Sequence, residues 1–152
     1  MHSTQGLYFE ELEQGAEFWT AERTITESDI VMFGGLTGDY SSLHFSAEAA
    51  KNTSFGSVIA HGMLVASYAI GLCARTDMFA GTLLGFMGID HWDFLKPVFP
   101  GDTIKVKIII SDKISSKSKS DRGIVVRVTE VYNQHGELVH RGQSKLMVKR
   151  RP

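Results

Sequence analysis

The chain has 152 residues, 43% of them hydrophobic and 22% charged, with 16 Lys plus Arg against 17 Asp plus Glu and a net charge of -1. These proportions fit a single globular domain over residues 1–152, and a chain of this size buries roughly 70% of its unfolded surface without metal or disulfide staples. The balanced charge excludes charge-driven disorder and argues against nucleic-acid binding, while the single cysteine, Cys73, closes no intrachain disulfide and fits a reducing cytoplasm.

Residues 1–6, Met-His-Ser-Thr-Gln-Gly, lack the basic and apolar regions of a secretory leader, so a protein that is not exported is expected. Residues 18–24 read as a strand. Thr26-Glu-Ser-Asp29 has the capping-box pattern and opens a short helix that turns Ile30 and Phe33 inward. Gly34-Gly35 weakens that helix and Gly38 ends it. Residues 46–51 form a second short helix with Ser46 as its N-cap.

A third helix starts at Gly62. Residues 52–74 contain no Asp, Glu, Lys or Arg, but the apolar part begins only near Met63. A helix over residues 62–75 is roughly 21 Å long, short of the ~30 Å hydrocarbon layer of a bilayer. It reads as a core helix, apolar almost all round and buried on every side.

The rest is β in character. Residues 82–94 lead into Lys96-Pro97-Val-Phe-Pro100-Gly-Asp, which enforces a bend. Residues 103–110, 124–132 and 138–148 are further strands, separated by the polar turn 115–121 and the hairpin turn 133–136. Four strands with short connections predict an antiparallel meander curled round the third helix, an α+β fold. About five strands cannot enclose such a helix, so a second copy of the chain or a large apolar ligand should cover its remaining face.

The chemistry-bearing segment is Gly38-Asp39-Tyr-Ser-Ser-Leu-His44. A five-residue spacing puts an acid and an imidazole about 140° apart on a helix and on opposite faces of a strand. Only an irregular turn brings Asp39 and His44 together. Two readings stand on the residues alone: a cooperating acid and imidazole, or a helix-capping Asp39 beside a structural His44. At the third helix, His61-Gly62-Met63 offers first-turn N–H groups without intrahelical partners, and Gly62 admits close approach, so a developing oxyanion could be held there. His61 reads as structural rather than as a proton carrier. His2, His91, His135 and His140 show no metal-ligand spacing, so no metal is expected. Cys73 lies within the apolar helix and should be a quiet packing residue.

Gly38-Asp39, Leu43-His44, Ala47…Ala50, Phe55-Gly56 and Ile59-Ala-His61-Gly62-Met63-Leu64 together resemble the MaoC-like dehydratases, the (R)-specific enoyl-CoA hydratases of the hot-dog fold. Lys96-Pro97-Val98 and Pro100-Gly101-Asp102-Thr103 extend the resemblance, which covers roughly residues 8–149. It implies an antiparallel sheet wrapped round a central helix, with a loop-rich overhang over residues 39–57. It also implies a dyad of Asp39 and His44, with the Gly62 N–H polarising a thioester carbonyl. The neighbouring Tyr40, Ser41, Ser42, Phe55, His61 and Met63 are the expected substrate-binding residues. The implied reaction is reversible hydration of a trans-2-enoyl thioester. Asp39 would act as base and His44 would hold the water and return a proton at Cα, although the sequence does not settle which of the two makes each transfer. The implied partners are an acyl-CoA or acyl-carrier thioester and a second copy of the chain, in a homodimer or higher homo-oligomer. No redox cofactor or metal is needed, since the pantetheine belongs to the substrate. Asn-Pro is usual in the family where this chain has Ser41-Ser42.

Two rival functions remain. A hot-dog thioesterase needs a carboxylate on or near the central helix, and residues 62–74 supply none. A non-catalytic acyl-thioester binding subunit is motivated by Ser41-Ser42.

Overall fold

The computed structural model describes residues 5–152, so His2 and most of residues 1–6 lie outside the described residues. After a single 3-10 turn at Phe9–Glu11, which the sequence pattern did not signal, strand β1 spans Glu17–Thr24. Helix α1 spans Glu27–Thr37. Its N-terminus is the expected reciprocal cap: the Asp29 N–H donates to Thr26 Oγ1 at 3.2 Å and the Thr26 N–H donates to Asp29 Oδ2 at 2.9 Å. Asp29 is also buried, and its Oδ1 accepts from Arg23 on β1 at 3.0 Å and from the Tyr68 hydroxyl at 2.7 Å. Burial raises its pKa, but the donors from Thr26, Tyr68 and Arg23 outweigh this and hold the carboxyl below the ordinary range.

Two one-turn helices follow, α2 (Ser42–Phe45) and α3 (Ala47–Ala50), the latter capped by Ser46 as expected. The core helix α4 spans Gly62–Ala74, and then come β2 (Leu83–Phe94), β3 (Thr103–Ser115), β4 (Arg122–Tyr132) and β5 (Leu138–Lys149). The strands make one antiparallel sheet in the order β1-β3-β4-β5-β2. The expected four-strand meander is therefore a meander of three. Strand β2 lies on the far edge beside β5, and residues 95–102 carry the chain back across the end of the sheet. Four hydrogen bonds pin that crossing: Leu95 and Lys96 N–H on Val139 O, Ala60 N–H on Val98 O, and Gly101 N–H on Ile25 O.

The core forms where the alternating side chains of β3 (Ile104, Val106, Ile108 and Ile110, all 0% exposed) meet Leu64, Val65, Ala69, Leu72 and Cys73 of α4. Cys73 is buried as expected, and desolvation pushes its thiol pKa up. Burial of α4 on every side is not what the chain achieves. Met63, Ser67, Gly71 and Ala74 leave an open stripe at helical spacing. Edge strand β2 is similarly uncovered, with Leu84 40%, Phe86 43%, Met87 48% and Ile89 44% exposed. No helix among the described residues is long and apolar enough to cross a membrane.

His140 on β5 is a buried titratable group with a single polar tie. It is 2% exposed, and its Nδ1 accepts from Trp92 Nε1 at 3.3 Å. Burial lowers its pKa from 6.5 to about 4. Between those values the unfolded chain binds a proton that the folded chain refuses. The resulting stability, up to ~3 kcal/mol, is complete above pH 6.5 and is lost as the pH falls toward 4. Urea midpoints of the wild type should drop between pH 7 and pH 4.5, and His140→Gln should drop less. Identical pH dependence in the two proteins would refute the assignment.

Candidate active site

Gly38 ends α1 in the left-handed region, at φ 78°, and its N–H closes on Gly34 O. This turns the chain back over the start of α4. Asp39 then stabilises the turn itself: its Oδ1 accepts the Ser41 N–H at 3.2 Å, and Ser41 Oγ in turn caps α2 by accepting from Leu43 N–H. Ser41 thus holds the loop in place by hydrogen bonds to both sides. Helix α2 places His44, and Ile59 just before α4 receives it, with 2.7 Å between His44 Nδ1 and Ile59 O. A carbonyl can only accept, so His44 Nδ1 carries the proton and the neutral ring keeps its lone pair on Nε2.

His61, at the N-cap of α4, is 2% exposed. Its Nε2 donates to the Asp39 backbone carbonyl at 3.0 Å and lies 4.0 Å from Asp39 Oδ2. Its ring stacks on His44, with centroids 3.9 Å apart and planes at 28°. Phe33 and Phe45 pack against it at 4.9 and 5.7 Å. One nitrogen of each imidazole and one carboxylate oxygen of Asp39 lie within 4.8 Å of one another. Two hydrogen bonds of about 2.8 Å meeting at one water span such a gap. The Asp39 side chain is 51% exposed, so the gap faces outward.

Gly62 is the first residue of α4, and its N–H, like those of Met63 and Leu64, has no intrahelical acceptor. A Cβ on Gly62 would lie 2.8 Å from the Phe94 ring, so glycine is needed for the start of α4 to pack against Phe94. A cleft of about 210 Å³ opens beside His44 and Phe45, walled by Ile30, Val31, Val58 and Pro100.

The structure thus brings Asp39, His44, His61 and Gly62 together. Tyr40 is exposed and packs on Phe45 at 5.3 Å, forming an outer wall. Ser42 opens α2, and Met63 lies on the open stripe of α4. Phe55 stands in the turns after α3 and shares no hydrogen bond or ring contact with the dyad among the described residues. His61, read from the sequence as structural rather than a proton carrier, is the packing centre of this cluster. Sequence reasoning gave Gly34 a purely weakening part. Helix α1 runs through Gly34, where a Cβ would lie 2.5 Å from the Phe45 ring, so the glycine lets the overhang close on α1.

A sheet of this order around one helix, with an acid and an imidazole in the segment overhanging the helix start, defines a hot-dog fold of the dehydratase type. The family model described as "MaoC like domain" matches residues 11–132, and the chain belongs to that family. Protein MaoC of Klebsiella aerogenes is 36% identical over 113 residues, which are 74% of this chain but 33% of that longer protein. A Rhodospirillum rubrum protein named (R)-specific enoyl-CoA hydratase is 29% identical over 141 residues, 93% of this chain and 91% of its own. Among solved structures, the monoamine oxidase regulatory protein of Archaeoglobus superposes with a TM-score of 0.92 at 35% identity, covering 100% of both chains.

The two adjacent glycines of α1 should respond oppositely to alanine. Gly35 has only the Tyr40 hydroxyl within reach, 3.7 Å from a built Cβ, so Gly35→Ala should stabilise by roughly 0.5–1 kcal/mol through helix propensity. Gly34→Ala should destabilise by roughly 1–3 kcal/mol, because Phe45 must move. Urea denaturation measures both, and stabilisation by Gly34→Ala would show that the packing at Phe45 is loose.

Proposed function

We propose that the protein is a hydro-lyase that adds water reversibly and (R)-specifically to trans-2-enoyl thioesters of CoA or an acyl carrier. The observation that carries this reading is the outward-facing gap of 4.8 Å or less between the Asp39 carboxylate and a histidine nitrogen, beside the free N–H of Gly62. The names of the relatives support the reaction class and the stereochemistry.

In this reading one water sits between Asp39 and His44. Because Nδ1–H is committed to Ile59 O, His44 Nε2 is the lone pair that takes the water proton as oxygen adds to Cβ. The same nitrogen then delivers that proton to Cα. Asp39 accepts the other O–H, orients the water and stabilises the transient imidazolium. This reading gives His44 the base role, a choice between the two residues that the sequence left open. The enolate-like charge on the thioester oxygen meets the Gly62 N–H at the positive end of α4. Both dyad members lie on one side of the substrate, so addition is syn.

His44→Ala and Asp39→Ala should each lower kcat by roughly 10²–10⁴-fold with folding intact, and the double variant should be little worse than either. The assay is loss of enoyl absorbance from crotonyl-CoA in deuterated water, with chiral analysis of the product and a parallel measurement of free thiol. Thiol release would instead indicate a thioesterase, and binding without turnover a non-catalytic subunit. Retained activity in either folded single variant would reject the dyad.

The same reading includes a homodimer. The unpaired edge of β2 with its exposed apolar side chains and the open stripe of α4 are both left uncovered by the chain itself. Light scattering at micromolar concentration should show at least twice the 16.8 kDa chain mass. A stable monomer would contradict the pairing.

A further inference from the structure

Strand β4 carries a charge where its inner face meets α4. Arg127 is 4% exposed, and its Nε and Nη2 are buried with no hydrogen-bond acceptor. The only titratable group that acts on it among the described residues is the Cys73 thiol, and burial holds its pKa below the ordinary arginine range. The Phe86 ring, with its centroid 5.8 Å from the guanidinium carbon, offers weak compensation. Arg127 borders a cavity of about 180 Å³ walled by Ile70, Cys73, Phe79, Leu83, Phe86 and Leu146. Its cross-strand partner Ser144 is 2% exposed, and Ser144 Oγ is also buried without a partner.

Unpaired buried charges are strongly disfavoured, so a guanidinium kept here needs an acceptor. Water is a poor one. It could accept from Arg127 and donate one O–H to Ser144 Oγ, but its other O–H would then face the apolar wall. A carboxylate only accepts, and its two oxygens match the guanidinium fork. We propose that this cavity is a carboxylate site, in which Arg127 grips both oxygens and the neighbouring Ser144 hydroxyl is the next free donor.

The cavity lies under Ile70 and Cys73, eight to eleven residues beyond Gly62 and so roughly 12–17 Å along α4. The carboxylate therefore has two possible sources: a free small carboxylate, or the far end of an acyl group held at Gly62. The second source rests on the hydratase reading; the first does not.

The test uses succinate as probe and thermal unfolding as readout. Saturating succinate should raise the wild-type Tm by several degrees. Arg127→Met should bind succinate at least about 30-fold more weakly, and without succinate it should be no less stable than wild type, since it removes an uncompensated charge. Arg127→Lys keeps the charge without the fork and should also bind more weakly. A length series of trans-2-enoyl-CoA thioesters, methyl-ended against carboxylate-ended, separates the sources. A preference for one carboxylate-ended length that Arg127→Met abolishes identifies the acyl group, and a Tm response without that preference identifies a free carboxylate. A wild type that shows neither response, or an Arg127→Met that keeps either, overturns the site. So does marked destabilisation of Arg127→Met, which would mean that the guanidinium is already paired. Absent turnover of crotonyl-CoA together with intact succinate binding would remove the hydratase reading alone.

Discussion

The hydrogen bond from His61 Nε2 to the Asp39 backbone carbonyl is the constraint on which the candidate site depends. It joins the end of α1 to the start of α4 through a side chain that is 2% exposed, where a lost partner costs the full desolvation of a polar group. Because that nitrogen donates, the neutral His61 ring keeps its lone pair on Nδ1, which is buried and has no donor partner. The site tolerates this unmet acceptor in exchange for a fixed ring. His44 stacks on that ring and is steered to Ile59 O, so the orientation of this half-buried imidazole beside Asp39 is set by packing beneath it.

A second tie keeps the supporting layer in register. Asp29 joins β1, α1 and α4 through Arg23, Thr26 and Tyr68, and it anchors the N-terminal end of α1. The far end of the same helix is fixed by the contact of Gly34 with Phe45. Helix α1 is therefore held at both ends by groups on different elements. It acts as a strut, and the turn that follows it inherits its position.

How much of this was legible in the sequence follows from the range of each interaction. The capping box, the Ser46 cap, the apolar helix and the strands depend on neighbours within a few residues, and periodicity reports them well. The acid and imidazole were legible because a five-residue spacing allows no regular alternative to a turn. The place of β2 was not. Short connections favour adjacent strands, and nothing local in residues 95–102 announces that they bond to Val139, Ala60 and Ile25 in turn. Gly34 was misread for the same reason, since its Cβ-sized gap is filled by a ring eleven positions away. The parts of His61 and Arg127 depend on partners present or absent on other elements, which no spacing encodes.

Helix α4 organises the chemistry by what it leaves unmet. At its start, the N–H groups of Gly62, Met63 and Leu64 are donors without intrahelical acceptors. Near its other end, Arg127 and Ser144 bring further donors into the core beneath it, again without acceptors. Between them Leu64, Val65, Ala69 and Leu72 are packed into the core, and the open face of the helix shows Met63, Ser67, Gly71 and Ala74. A molecule complementary to that surface carries an acceptor where the helix begins and an apolar middle, and it gains most from a second acceptor beyond. That stripe and the bare edge of β2 are both uncovered, so whatever covers them also determines how closed this surface becomes. Closure and charge matching are thus properties of one helix seen from two faces.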